Sequence, residues 1–291
     1  MKKNKALVYI ILAGIFWGTS GIFVHYMAPY RLTSLQMTAV RGIVAAVCMA
    51  AYLFAVDKSA FKITKKQAFL FVCSGIAMFA TAACYFISMQ AASVSTAVVL
   101  MYTAPVMVMA FSVVFWGEKL TFVKGLSVIG MLAGCGLVSG MIGGMKFSFY
   151  GVFMGLMSGV AYAVYNILTK LQVKQGCNPL ASTTYNFIVM GVLATAVCDP
   201  ADVVNNVVSN VWPLLPMVLA VGVVTCVLPY FLYTLSLKSL PVGTASALCI
   251  IEPMAATVFS VVLFHEPLGF ASLAGIVLIL GSVLMLSQTK S

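Results

Sequence analysis

The sequence predicts an all-α membrane protein of ten transmembrane helices, built as two inverted five-helix repeats. Three observations carry that prediction: the scarcity of charge, the length of the apolar runs, and a repeat with an odd number of spans in each copy. Charged residues make up 8% and apolar residues 63% of the 291 positions, whereas a soluble domain carries about a quarter charged residues. A surface so poor in charge needs a bilayer as its solvent. A helix crosses the hydrocarbon with about 20 apolar residues. Ten runs approach or exceed that length, at 6–27, 34–56, 67–90, 94–116, 123–141, 148–170, 180–198, 213–237, 242–264 and 270–287. The connections between them are short and leave no room for a soluble domain. The first run follows the basic stretch Met1-Lys2-Lys3-Asn4-Lys5. It is too long for a signal h-region and lacks a small-residue cleavage site, so it is expected to remain as the first span.

The formal net charge of +10 is distributed as a topology signal rather than as a patch for nucleic acid, which is excluded as a partner. Lys2, Lys3 and Lys5 precede the first span, and Lys58, Lys62, Lys65 and Lys66 lie between the second and third. Lys119, Lys124, Lys170, Lys174, Lys238 and Lys290 fall at the same end of later spans. The alternate connections hold only Arg31 and Lys146, and the 199–212 loop carries Asp199 and Asp202 with no base. The positive-inside rule then places both termini in the cytoplasm of an inner (plasma) membrane, with lipids as the surrounding partner.

The second half of the chain repeats the first. At an offset of 148, Ser88 falls on Ser236, Thr96-Ala97 on Thr244-Ala245, Pro105 on Pro253, Phe111-Ser112-Val113-Val114 on Phe259-Ser260-Val261-Val262, and Glu118 on Glu266. At an offset of 145, Leu35, Thr38, Ile43 and Val44 fall on Leu180, Thr183, Ile188 and Val189. The expected units are 1–147 and 148–291, five spans each. Because five is odd, the second unit enters the membrane from the opposite side. Inverted repeats are the architecture of many secondary transporters, whose substrate site lies between the halves near the midplane.

Four groups of residues carry a family resemblance. They are Phe16-Trp17-Gly18 in the first span, Tyr162-Ala163-Val164-Tyr165 in the sixth, Thr103-Ala104-Pro105 with Gly117-Glu118 in the fourth, and Glu252-Pro253 with Glu266 in the ninth. On them the chain resembles the drug/metabolite transporter superfamily, in its ten-helix branch with two EamA-type domains. Tyr162 departs from the tryptophan often found at its place. The resemblance implies that the first four helices of each half enclose a central cavity, with the fifth and tenth packed outside. It also implies transport of small organic solutes, often export of amino acids or related metabolites.

Residues found in one half only are freer to serve a substrate than residues found in both. Glu252 lies near the middle of the ninth span and its partner is Ala104. An ionisable group at that depth is a functional candidate, as a ligand for a substrate ammonium or as carrier of a coupling proton. Arg41 lies seven residues inside the second span opposite Asn186, and could grip a carboxylate, snorkel to the interface, or pair with Glu252. Trp17, Tyr85, Tyr102, Tyr162, Tyr165 and Tyr233 are candidate cavity aromatics, with Tyr85 and Tyr233 equivalent in the repeat, and Asn166 and Asn186 are candidate polar contacts. Pro105 and Pro253 are paired, and a mid-helix proline bends a helix, which suits a gate. Glu118 and Glu266 are expected to stabilise turns. Gly151-x-x-x-Gly155-x-x-x-Gly159 allows close helix approach within the chain or across a weak homodimer.

No cofactor or metal is expected. The eight cysteines form no C-x-x-C pair, the two histidines lie at span ends, and no Walker motif is present. The spans contain no aspartate and a single acid, which disfavours intramembrane hydrolysis and leaves a transporter ahead of an enzyme or a scaffold. A monomer or weak homodimer handling a small-molecule substrate, with protons as the candidate coupling ion, is the expectation.

Overall fold

The computed structural model describes residues 3–30, 32–139, 148–265 and 269–288. Arg31, Lys146, Glu266 and Lys290, which carried parts of the topology and turn readings, lie outside the described residues. The helices are α1 (Lys3–Gly18), α2 (Ser20–Met27), α3 (Ser34–Val56), α4 (Lys65–Ala91), α5 (Val94–Met101), α6 (Ala104–Trp116), α7 (Phe122–Val138), α8 (Phe149–Lys174), α9 (Pro179–Val197), α10 (Pro200–Ser209), α11 (Val211–Gly222), α12 (Leu228–Ser236), α13 (Val242–Leu248), α14 (Ile251–Phe264) and α15 (Phe270–Gln288). No strand occurs among the described residues. Eight helical stretches are long and apolar enough to cross a membrane, and two more, Phe122–Val138 and Phe270–Leu286, are apolar but shorter. Phe122 and Phe270 are largely exposed, as expected of side chains facing lipid.

Local chemistry sets the ends and the breaks. Thr33 with Gln36 and Thr64 with Gln67 form capping boxes that start α3 and α4, satisfying amides that lack partners in the first helical turn. Thr19 separates α1 from α2, its hydroxyl donating to the Phe16 carbonyl at 2.7 Å. The stretch expected as the 199–212 loop is instead largely the helix α10. Asp199 caps it, accepting from the Ala201 amide at 2.9 Å, and Pro200 occupies its first turn, where the missing N–H costs nothing. Val203 and Val207 of α10 pack against a small core containing Met27, Val40, Leu214, Val218 and Val221.

The expected fourth and ninth spans both break at the same register of the repeat. α5 ends at Met101 and α6 begins at Ala104; α13 ends at Leu248 and α14 begins at Ile251. Pro105 and Pro253 stand just after the breaks. Proline has no N–H to give the carbonyl four residues back, so at the second break Cys249 O accepts instead from the Glu252 amide at 2.9 Å. Before Pro229, residues Val223–Val227 widen into a π-helical turn.

Contacts between helices come in exchangeable pairs. α4 packs on α8 as α12 packs on α1; α5 and α6 pack on α8 as α14 packs on α1; α3 pairs with α9, and α7 with α15. Glycines allow the closest approaches. A Cβ at Gly18 would stand 2.7 Å from Ala255 Cβ, and one at Gly134 would stand 2.8 Å from the Gly275 carbonyl. One seam breaks the pattern. α13 packs against α6 with all seven of its residues buried, while the equivalent helix α5 makes no comparable seam with α14. The bundle of α4, α5, α6 and α8 therefore meets the bundle of α1, α12, α13 and α14 mainly at the end where α13 lies.

Candidate functional site

The two helix breaks face one another in the centre of the molecule. The Tyr102 hydroxyl, at the first break, donates to Glu252 Oε2, at the second, at 2.7 Å. Tyr102 is buried and Glu252 half-buried, so a carboxyl in the second half is held by a phenol from the first. Arg41, on α3, is half-buried, and its Nε is buried with no hydrogen-bond partner. It lies near enough to Glu252 to act on it electrostatically, yet among the described residues the two form no ion pair. The direct pairing that the sequence left open does not occur. An unpartnered guanidinium nitrogen in such surroundings is costly, so the site holds an unmet demand for an acceptor.

An aromatic cluster stands beside the charges. Trp17 meets Tyr230 edge-on with ring centroids 5.0 Å apart and Tyr233 at 6.0 Å. Tyr230 also meets Tyr165 at 5.9 Å and Phe187 at 5.2 Å, and Tyr162 stacks over Tyr165 at 6.5 Å. Trp17 Nε1 is buried without a partner, as is Asn186 Oδ1. Tyr85 and Tyr230 each lie within electrostatic reach of both Arg41 and Glu252.

The sequence candidates thus divide in two. Tyr233, wholly buried, donates to Asn166 Oδ1, while Asn166 Nδ2 donates to the Tyr162 carbonyl at 2.7 Å. These groups satisfy one another inside the core. Arg41, Trp17 and Asn186 carry unmet polar atoms, and Tyr85 and Glu252 share the field of Arg41. Pro105 and Pro253 open the breaks that bring Tyr102 to Glu252. Tyr85 and Tyr233, equivalent in the repeat, have separated in role: one lies near the charges, the other is locked in the core. Glu118, expected to steady its turn, makes that turn through its backbone amide, which donates to the Ser112 carbonyl at 3.1 Å.

Sequence reasoning missed Tyr230, the ring touching most of the cluster. Its signal was present: Pro229 precedes it, and Tyr233 follows at the spacing of one helical face. The close approach of Gly14 and Gly18 to α14 was missed as well, although Gly14-x-x-x-Gly18 has the same form as the glycine run of α8.

A family model described as the EamA-like transporter family matches twice, over residues 4–140 and 149–288. The chain belongs to the EamA-like transporter family. It is a multi-pass membrane transporter, in keeping with its relatives. An uncharacterized transporter of Bacillus subtilis, YwfM, is 25% identical, the match covering 99% of this chain and 95% of the relative. An uncharacterized transporter of Archaeoglobus fulgidus is 30% identical over 71% of this chain and 72% of its own length. The uncharacterized inner membrane transporter YicL of Salmonella typhimurium is 22% identical over 98% and 95%. One solved crystal structure superposes with a TM-score of 0.82 at 17% identity, covering 98% of this chain and 96% of that one; it shares the fold. The EamA matches meet between 140 and 149, beside the 147/148 boundary drawn from the repeat.

Proposed function

We propose that this EamA-family protein is a secondary transporter of the plasma membrane that exports small organic metabolites, such as amino acids or amines, by alternating access. Ten crossings in two inverted units, 1–147 and 148–291, form the machine. Both termini lie in the cytoplasm, as the lysine distribution implies. The observation that carries the reading is an unpaired Arg41 on α3 within electrostatic reach of Glu252, which a phenol holds where the two helix breaks face one another, between bundles that meet mainly at one end. A zwitterion fits the chemistry: its carboxylate answers the guanidinium, its ammonium answers Glu252, and Tyr85 and Tyr230 flank both. Glu252 is also the group able to take up a coupling proton when the ammonium leaves. Export is the direction implied by the family resemblance.

With α13 at the lysine-rich, cytoplasmic end, the present packing is outward-open. The exchangeable contact pairs supply the second state, in which α5 closes on α14 while α13 parts from α6. A thermal-shift screen of the purified protein against amino acids, amines, carboxylates and sugar phosphates tests substrate class, because specific binding stabilises the folded state. Hits are then carried into proteoliposome flux. Stabilisation by phosphorylated or dianionic ligands alone would replace the zwitterion with an anion exchanged on Arg41. A failure of every stabilising ligand to move across the membrane would favour a scaffold or sensor.

A further inference from the structure

The seam that closes one end of the molecule is crossed by a single lysine. Lys170, on α8 of one bundle, donates from Nζ to the Leu237 carbonyl at 2.6 Å and to the Leu240 carbonyl at 2.8 Å. Both acceptors belong to the turn between α12 and α13 of the other bundle. The turn leaves them free: Leu237 closes α12, and Pro241 follows Leu240. Glu118 lies within electrostatic reach of the lysine and favours its charge; Lys174, one helical turn on, opposes it and rests over the Trp116 ring at 4.0 Å.

The repeat makes this contact informative. At the offset of 145, His25 stands where Lys170 stands, and at the offset of 148, Met89 and Ala92 stand where Leu237 and Leu240 stand. His25 makes no such contact. Its ring stacks on Phe264 at 4.0 Å, within its own bundle. The clasp is therefore made at the packed end, while the residue at its place at the parted end of the same molecule makes a different contact.

We infer that Lys170 is a gating residue that holds the cytoplasmic end shut by tying α8 to the α12–α13 turn, and that its release is part of opening toward the cytoplasm. The inference rests on the alternating-access reading above, and its test is read without transport. A Cβ on Gly243 would lie 3.5 Å from Met109 Cβ across the closed seam, inside the range that a disulfide bridges. The pair Gly243→Cys with Met109→Cys, in full-length protein freed of its eight native cysteines, reports closure there. The equivalent pair at the parted end is Ser95→Cys with Thr257→Cys.

With Lys170 present, mild oxidation should cross-link the first pair quickly and the second slowly. Lys170→Met removes two hydrogen bonds from a charged donor. It should slow the first by at least about fivefold and quicken the second, because stabilisation lost from one state passes to the other. Lys170→Arg should restore both rates, and Lys170→Gln, the variant to read if the methionine protein does not fold, should fall between. Unchanged rates, or two rates that fall together, would overturn the inference, since a merely structural lysine would not move the two ends in opposite directions. Opposite movement of the two rates in a protein that carries no solute would uphold the clasp and remove the transport reading instead.

Discussion

Val94 and Val242 are the same residue at the same register of the repeat, each opening a short helix with Thr and Ala at the same following positions. Val94 is 56% exposed and Val242 is wholly buried. Helix propensity and side-chain chemistry are identical at this position, so neither explains the difference. What differs is the partner. α13 lies on α6, while α5 has no equivalent seat on α14. On the alternating-access reading proposed above, a helix written twice and buried once marks two packings of which one is occupied. Such a pair is what a ligand or proton can tip, provided it binds the two arrangements unequally.

The sharpest difference between the halves is chemical, and the largest effect is expected there. Glu252→Gln keeps the volume of the side chain and should leave the protein folded. A hydrogen bond to a charged group contributes about 1.5–3 kcal/mol, so its loss should lower flux by about tenfold or more. The exchange Ala104→Glu with Glu252→Ala then asks whether the halves are interchangeable here. Tyr102 partners Glu252, but the residue equivalent to Tyr102 in the other half is Ile250. The moved carboxyl would find no phenol, and flux should stay low. Recovery of flux in the exchanged protein would mean that the site tolerates its acid on either side of the axis.

A smaller effect tests the paired valines directly. Val242→Ala removes buried methyl groups from the closed seam and should cost about 1–2.5 kcal/mol of stability in thermal or denaturant unfolding. Val94→Ala should stay within about 0.5 kcal/mol, as exposed substitutions do. In a protein held in the opposite state by the Ser95→Cys and Thr257→Cys bridge, the ranking should reverse. If Val242 remains the costlier site under that bridge, α13 is fixed scaffold and α5 a helix with no second seat.

The elements that were legible in the sequence are those fixed by composition or written twice. The apolar runs gave the helices, and the alignment of Pro105 with Pro253 located both breaks to within a turn. The amphipathic helix α10 was hidden by its short length, even though Asp199-Pro200 is a start signal. Of the candidate site, Glu252 stood out because Ala104 faces it in the repeat, and Tyr102 was named with it, but their bond spans 150 positions and no periodicity reaches so far. The separation of Arg41 from Glu252 was likewise unreadable, since it depends on how two helices far apart in the sequence are placed. Lys170 read as one of many topology lysines, because a clasp onto backbone carbonyls leaves no partner residue to notice. On the alternating-access reading the asymmetry between the two ends is a property of the state, and a near-repeat does not encode which state is populated.

The smallest expected effect decides which end faces the cytoplasm. Cys177 and Cys198 lie at opposite ends of α9, just outside the Pro179–Val197 span, and burial pushes both thiols above the usual range. Their thiolates are therefore scarce near neutral pH, and labelling by a maleimide should be slow and rise with pH. Cys198 is half-exposed and serves as a probe, whereas Cys177 is buried and would react too little to report sidedness. Gln175, exposed two residues before it, is the better position. In a protein freed of its other cysteines, Cys198 should react with a membrane-impermeant reagent added outside intact cells, and Gln175→Cys only after the cytoplasmic face is opened to it. The rates should differ by severalfold at most, since Cys198 is half-exposed and Gln175 is exposed. The reverse sidedness would leave the fold and the clasp as they are but turn the molecule over, making the present packing inward-open and Lys170 an outer gate. Labelling of both positions from one face would require α9 not to cross the membrane, and with that crossing the inverted relation between the two halves would be lost.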